Sequence, residues 1–342
     1  MVPKLPTRQL GKDGPEVTAL GWGSMGLSAF YYPRPPDEER LKFLDYVYST
    51  GVTHWDTSDI YGDSEDLLGK WFANNPGKRN DIFLATKFAI TTNADGSRAL
   101  RADPEYVKEA CEKSLKRLGV DHIDLYYCHR MDGVTPIEKT VEAMAELKKE
   151  GKIRYLGLSE CSAETLRRAC KVHHIAAVQM EYSPFSMDIE DPRTGPLLET
   201  CRELGVAVVA YSPLGRGFLG GRFKSPDDFP EGDFRRMAPR FSAENFPKNL
   251  KLLDVLNDIA KEKGVHVSSL TLAWLMAQGD DIIPIPGTTK PENIDLNVAA
   301  LSIKLTPEEN AKIRKAVENA EVFGARYPEG GLFNTFADTP PL

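Results

Sequence analysis

No part of the 342-residue chain approaches the roughly 20 consecutive apolar residues that a membrane-spanning helix needs. Its longest apolar runs, Val206 to Tyr211 and Leu270 to Ala277, stop well short. The first residues lack the basic-then-apolar pattern of a secretory signal, so a cytoplasmic protein with no membrane partner is expected. Cysteine is scarce. Cys111, Cys128, Cys161, Cys170 and Cys201 are odd in number and show no CxxC spacing, which argues against a disulfide framework or a zinc site and predicts reduced, packed thiols. A basic excess is also missing: 43 Lys and Arg face 50 Asp and Glu, for a net charge of −7. Nothing is left over to neutralise a phosphate backbone, so no nucleic-acid partner is expected.

No linker rich in Pro, Gly or Ser divides the chain, although its length would allow two domains of roughly 150 residues. The 41% hydrophobic and 27% charged fractions are those of an ordinary globule. From Val17 onward, short β-branched or aromatic runs alternate with longer helical patterns, which predicts one α/β domain over 1–342. Eight strands are expected: Thr18 to Gly21, Thr53 to Trp55, Ile82 to Thr86, Ile123 to Tyr127, Arg154 to Leu158, Ala176 to Met180, Val206 to Ala210 and Ile282 to Ile285. Helices stop at Gly51, Gly119, Gly151 and Gly205, since glycine accepts the left-handed turn that ends a helix. Helix starts are expected at Asp103-Pro104 and Thr135-Pro136, with capping-box spacing in Thr135/Glu138 and Thr306/Glu309. Between two of these signals, Val107, Ala110, Cys111, Ser114, Leu115 and Leu118 share one helical face. Eight such units predict a (β/α)8 TIM barrel of about 250 residues, with roughly 90 left for extra segments. These are an N-terminal hairpin at Arg8 to Val17, a long loop from Ser212 to about Asn245, and a tail after Ala320. A doubly wound sheet ranks second.

Two glycine-rich segments invite a nucleotide reading. Gly21-Trp22-Gly23-Ser24-Met25-Gly26 matches G-x-G-x-x-G, but the stretch Ser28 to Pro36 separates it from the helix expected near Asp37, whereas a Rossmann fingerprint opens its helix at once. Gly215 to Gly221 lacks the Gly-Lys-Ser/Thr ending of a P-loop and reads as a loop where backbone approaches a ligand.

In a barrel, chemistry sits where strands end. Three successive strands end in polar groups: His54-Trp55 runs into Asp56, Ala85-Thr86 into Lys87, and Tyr127-Cys128 into His129, with Tyr61 five residues beyond Asp56. Each alone reads first as a helix cap or a satisfied core residue. An acid, an amine and an imidazole in one mouth are costly to bury unless they pair. A phenol ionises near pH 10, and bringing it to neutrality takes roughly 4 kcal/mol, about what a unit charge at about 4 Å supplies at an effective dielectric of about 20. Lys87 is therefore expected to lower the Tyr61 pKa. Asp56 would keep Lys87 charged, and His129 would orient a substrate oxygen.

The segments Asp56-Thr57-Ser58-Asp59-Ile60-Tyr61-Gly62, Ala85-Thr86-Lys87 and Ile123 to His129 resemble those of the aldo-keto reductase superfamily, and the likeness extends from Arg8-Gln9-Leu10-Gly11 to the end of the chain. It implies reduction of aldehydes or ketones by NADPH, with Tyr61 as general acid, Lys87 and Asp56 tuning it, and His129 beside the developing oxyanion. It also implies contacts to NADPH/NADP+ from Gly23, Met25, Ser159, Glu160, Gln179, and Tyr211 stacking on the nicotinamide, followed by Ser212, Pro213, Leu214, Gly215, Arg216 and Gly217. For the adenosine phosphate it implies Gly287, Thr288, Thr289, Lys290, Asn293 and Asn297, a place where barrels commonly bind phosphate.

Glu160 stands where many members have asparagine, and Leu296 where many are acidic, which alters the implied carboxamide and adenine contacts. Glu160, Arg326-Tyr327-Pro328 and the ending Asp338 to Leu342 are similar to the plant and fungal branch that includes auxin-induced-type reductases. Trp22, Tyr31, Phe88 and Met131 flank the strand ends and are expected to line a pocket for apolar or aromatic carbonyl compounds. Two rivals remain: a lyase forming a Schiff base on Lys87, and a nicotinamide-sensing regulatory subunit on the same barrel. The sequence leaves the oligomeric state open.

Overall fold

The computed structural model describes residues 2–31, 34–93, 95–328 and 334–342. Residues 32 and 33, in the segment that separates the first glycines from their helix, and 329–333, in the expected tail, lie outside them. β1 (Thr7–Gln9) and β2 (Glu16–Thr18) form an antiparallel hairpin, as expected. The barrel strands are β3 (Trp22–Gly23), β4 (His54–Asp56) and β5 (Phe83–Phe88), then, after a small hairpin of β6 (Ile90–Thr92) and β7 (Arg98–Leu100), β8 (Ile123–Cys128), β9 (Ile153–Ser159), β10 (Ala177–Glu181), β11 (Ala207–Tyr211) and β12 (Ile282–Pro284). The eight pair in parallel in chain order, β3-β4-β5-β8-β9-β10-β11-β12. The ring is drawn together where Gly21 N donates to Pro284 O (2.9 Å) and Gly23 bridges Gly287. This is the expected (β/α)8 architecture, and it removes the doubly wound alternative.

One strand is displaced from expectation. Thr18 belongs to the hairpin, and the first barrel strand begins at Trp22 instead of Thr18. Thr18 pairs with Thr7 and Ala19 N donates to Pro6 O (2.9 Å), so this segment stays with the hairpin, and at Gly21, where a Cβ would lie 2.9 Å from His54 O and from Ile285, the chain passes too closely for any side chain. The G-x-G-x-x-G segment does open one helical turn, Met25–Ser28, but the long helix starts at Asp37. The expected cap at Asp103 forms, its side chain accepting from Tyr106 N, and the Thr306/Glu309 capping box closes in both directions. The Thr135/Glu138 box does not. Thr135 Oγ1 donates to Asp132 instead, while Glu138 pairs with Arg168 at 2.7 Å.

Alternation along the strands sorts the core into two layers. Ala85, Leu125, Tyr127, Val209 and Ile283 fill the barrel interior together with Leu10 and Val17 of the hairpin. Trp55, Leu84, Phe88, Tyr126 and Cys128 face outward into the helical shell. The same parity that turns Tyr127 inward turns Lys87 inward, and with it Asp56 and, one residue past β8, His129.

Candidate active site

Four side chains meet at the carboxyl ends of β4, β5 and β8. Lys87 Nζ lies 2.5 Å from Asp56 Oδ1 and donates to Thr57 O at 2.6 Å; both side chains of the pair are all but sealed from solvent. Asp56 Oδ2 accepts from Gln179 Nε2 at 2.8 Å, so its second oxygen is satisfied too. Burial acts to strip the proton from Lys87, but Asp56 and Tyr61 more than offset it, and the ammonium is held above the ordinary lysine range. Tyr61 lies over that cation, with Nζ 5.0 Å from its ring centroid, and meets His129 edge-on at 5.9 Å.

The Tyr61 pKa differs in sign from expectation. Burial pushes the phenol above its ordinary value, and Lys87 and Arg130 recover only part of the shift. Tyr61 is therefore fully protonated at neutral pH. His129 is neutral as well, because burial, Arg130 and Lys87 hold it well below the ordinary imidazole range. Its Nδ1 is 3.1 Å from Ser58 Oγ. When that hydroxyl donates to Nδ1, the ring carries its proton on Nε2 and is a donor.

Around the mouth, Tyr211 closes β11, and its hydroxyl donates to Glu160 Oε1 at 2.8 Å. Ser159 accepts from Arg130 at 3.2 Å. Glu160 (φ 53°), Ser212 (φ 48°) and Arg216 (φ 58°) all hold left-handed backbone without being glycine, a strain that concentrates at functional sites. Pro213 is buried and Leu214 half-buried, while Gly215 and Gly217 turn the chain with positive φ. Gly23 and Met25, both half-buried, sit across the closure of the ring. Gly287, Thr289 and Lys290 are exposed just before the nine-residue helix Pro291–Ala299. Thr288 Oγ1 accepts from Lys290 N (3.1 Å) and from Asn293 Nδ2 (3.0 Å), and Asn297 is buried on that helix.

Two groups of expected contact residues have partners within the protein. The Arg216 guanidinium pairs with buried Glu181 (3.3 Å), donates to Arg326 O (3.2 Å) and covers the Tyr327 ring at 4.7 Å. Three of the four expected pocket residues are core. Phe88 faces the helices, stacked on Tyr126 at 4.9 Å; Met131 is buried in the same shell; and Trp22 is enclosed by Phe43 and Trp55 with its Nε1 donating to Thr288 O. Tyr31 is half-buried under Arg235. A chain of partly exposed rings instead leads from Tyr61 through Phe30 (6.4 Å) to Phe234 (6.3 Å from Phe30) and Tyr327 (6.3 Å from Phe234). Strand parity excludes Phe88 as a mouth residue from sequence alone; nothing local marks Phe234 or Tyr327, which arrive from distant segments.

The aldo/keto reductase family model matches residues 19–318. The chain belongs to the aldo/keto reductase family. With that membership goes the enzyme class, an oxidoreductase. The chain is 54% identical over 343 residues to aldo-keto reductase str7 of Strobilurus tenacellus, covering 99% of both chains. It is 50% identical over 341 residues to aldo-keto reductase yakc [NADP(+)] of Schizosaccharomyces pombe, again covering 99% of each. Both relatives are fungal, in keeping with the branch resemblance. The glycerol dehydrogenase AKR11B4 of Gluconobacter oxydans superposes with a TM-score of 0.81 at 26% identity, over 93% of this chain and 97% of that one. The thermostable aldo-keto reductase Tm1743, solved with the inhibitor epalrestat, gives 0.71 at 30% identity over 91% and 100%. Among the described residues no helix is long and apolar enough to cross a membrane.

Proposed function

We propose that this protein is a single barrel domain that reduces aldehydes or ketones to alcohols with NADPH, using Tyr61 as the proton donor. The observation that carries the reading is the buried Asp56–Lys87 pair beneath Tyr61: a charge held in a dry mouth under a protonated phenol stabilises the phenolate that proton donation would leave. Bound NADPH supplies a hydride to the carbonyl carbon. Tyr61 delivers its proton to the carbonyl oxygen, Lys87 compensates the charge left behind, and Asp56, held by Gln179, keeps Lys87 in place. His129, with Ser58 donating to Nδ1, offers Nε2–H to the same oxygen. Phe30, Phe234 and Tyr327 form the apolar side on which an aromatic or aliphatic carbonyl compound would lie.

The residues present suit the cofactor. The Tyr211 ring offers a platform beside the mouth. Lys290 is exposed at a helix N-terminus, and no carboxylate among the described residues pairs with it. That cation and helix end, with the Thr288 and Thr289 donors, match the extra phosphate that distinguishes NADPH from NADH. The relative named as an NADP(+) enzyme supports the choice. The Schiff-base alternative loses ground because Lys87 is charged and tied to two oxygens, whereas an attacking amine must be neutral and free. The test is NADPH oxidation with a panel of aldehydes and ketones. Alcohol formed in step with NADPH consumed supports the proposal; a substrate adduct on Lys87 trapped by borohydride, without NADPH consumption, overturns it.

A further inference from the structure

The C-terminal tail returns to the barrel mouth and grips one residue twice. Ala337 N donates to the backbone oxygen of Glu160 (2.8 Å), Ser162 N donates to Ala337 O (3.0 Å), and Arg168 fastens Thr339 O and Pro340 O at 2.8 and 2.7 Å. Earlier in the tail, Arg326 places Nη1 3.3 Å from Glu160 Oε1 and Nη2 3.2 Å from Oε2. Glu160 is wholly buried and left-handed, and its Oε1 also accepts from the Tyr211 hydroxyl. The pair belongs to a closed network. Arg326 also lies 3.7 Å from Glu181, which Arg216 and Arg240 approach at 3.3 and 3.6 Å. Burial alone would raise the Glu181 carboxyl, but Arg216, Arg326 and Arg240 hold it below the usual range. Tyr327, next to Arg326, sets its hydroxyl 3.0 Å from that of Tyr211.

From this geometry we infer that Arg326 is a positioning residue of the cofactor site: it holds the Glu160 carboxylate that holds Tyr211, so the tail completes the nicotinamide wall. The inference rests on the proposed role of Tyr211 as that wall. A buried carboxylate that accepts from a phenol needs a cation, or it takes a proton or turns elsewhere. Without Arg326, Glu160 loses its ion pair and the Tyr211 ring loses its fixed anchor. A glutamine at 160 keeps an oxygen for the Tyr211 hydroxyl and carries no charge to neutralise. The two sites should therefore compensate, which a general loosening of the tail would not produce.

The experiment is a fluorescence titration of NADPH into wild type, Arg326→Met, Glu160→Gln and the double variant, with melting temperature recorded on each protein without cofactor. Arg326→Met should weaken NADPH at least about tenfold through the displaced Tyr211 wall. The double variant should return to within about threefold of Glu160→Gln, and its melting temperature should recover alongside. Unchanged affinity in Arg326→Met, or a double variant no better than Arg326→Met, would overturn the inference. If Arg326→Met does not fold, Arg326→Lys takes its place, with a weakening that Glu160→Gln relieves or, to the contrary, does not. A wild-type protein that fails to bind NADPH at all would instead remove the proposed function.

Discussion

Replacing Lys87 with methionine removes the charge on which the proposed proton transfer depends while keeping the stem that fills the barrel mouth. With Nζ 5.0 Å from the Tyr61 ring centroid, the ammonium is worth about 3 kcal/mol to a developing phenolate at an effective dielectric of about 20. That corresponds to a factor of about 150 in rate if the proton is fully transferred at the transition state, and less in proportion if it is not. The substitution also leaves Asp56 buried without a counter-ion, which costs about 3–5 kcal/mol of stability and would confuse the result. Lys87→Met is therefore paired with Asp56→Asn/Lys87→Met, which removes both charges and retains an acceptor for Gln179. Steady-state turnover of the best aldehyde at saturating NADPH, alongside melting curves, separates the two effects. The double variant should regain stability but stay between about 10- and 150-fold below wild type in kcat. A double variant within about threefold of wild type would refute the electrostatic role of Lys87, whatever the single variant does.

Four further outcomes follow from the same geometry. Tyr61→Phe should keep NADPH affinity and lose at least about 100-fold in turnover; equal turnover would move the donor elsewhere. Lys290→Ala should weaken NADPH roughly ten- to a hundredfold and leave NADH nearly unchanged, whereas an equal change in both dissociation constants would place the phosphate at another site. Phe30→Ala should raise KM for aromatic aldehydes with little effect on the melting temperature, and Phe88→Ala should do the reverse; the opposite split would restore Phe88 to the pocket. Burial, with Glu65 adding to it, raises Asp59 from 3.8 to about 7, so between about pH 4 and 7 the folded state holds a proton that the unfolded chain releases. Stability contributed by protonated Asp59 is thus lost as pH rises through that window. Asp59→Asn should gain melting temperature over wild type at pH 8 but not at pH 4, and a pH-independent difference would contradict the assignment.

What the sequence discloses here depends on the range of the contact. Helix stops at Gly119 and Gly205 follow from patterns within one βα unit, and the strand order and the convergence of Asp56, Lys87 and His129 follow from repeating that unit in a barrel whose strands end at one mouth. Thr18-Ala19-Leu20 is as β-prone as Trp22-Gly23, and only the pairing of Thr18 and Ala19 with the N-terminal strand, a contact outside the local pattern, assigns them to the hairpin. Phe88 and Met131 look like pocket residues by proximity along the chain, yet alternation turns Phe88 away from Lys87. The ion pair of Arg216 with Glu181 links the loop after β11 to β10, a contact that the glycine-rich pattern of the loop does not encode. The Arg326–Glu160 pair joins residues 166 apart, and no local pattern encodes such a contact. The shift of Tyr61 above its ordinary pKa was likewise hidden, since it is set by how completely the assembled mouth excludes water.

The measurement that bears most directly on the proposed activity is isotopic. NADPH deuterated at the transferable position of C4 would be supplied with an accepted aldehyde in ordinary water, and the alcohol analysed by mass spectrometry. One deuterium on the former carbonyl carbon, with none incorporated at that carbon when unlabelled NADPH is used in D2O, is the predicted result. Alcohol lacking the label, or carrying solvent deuterium on that carbon, would contradict direct hydride delivery in this barrel.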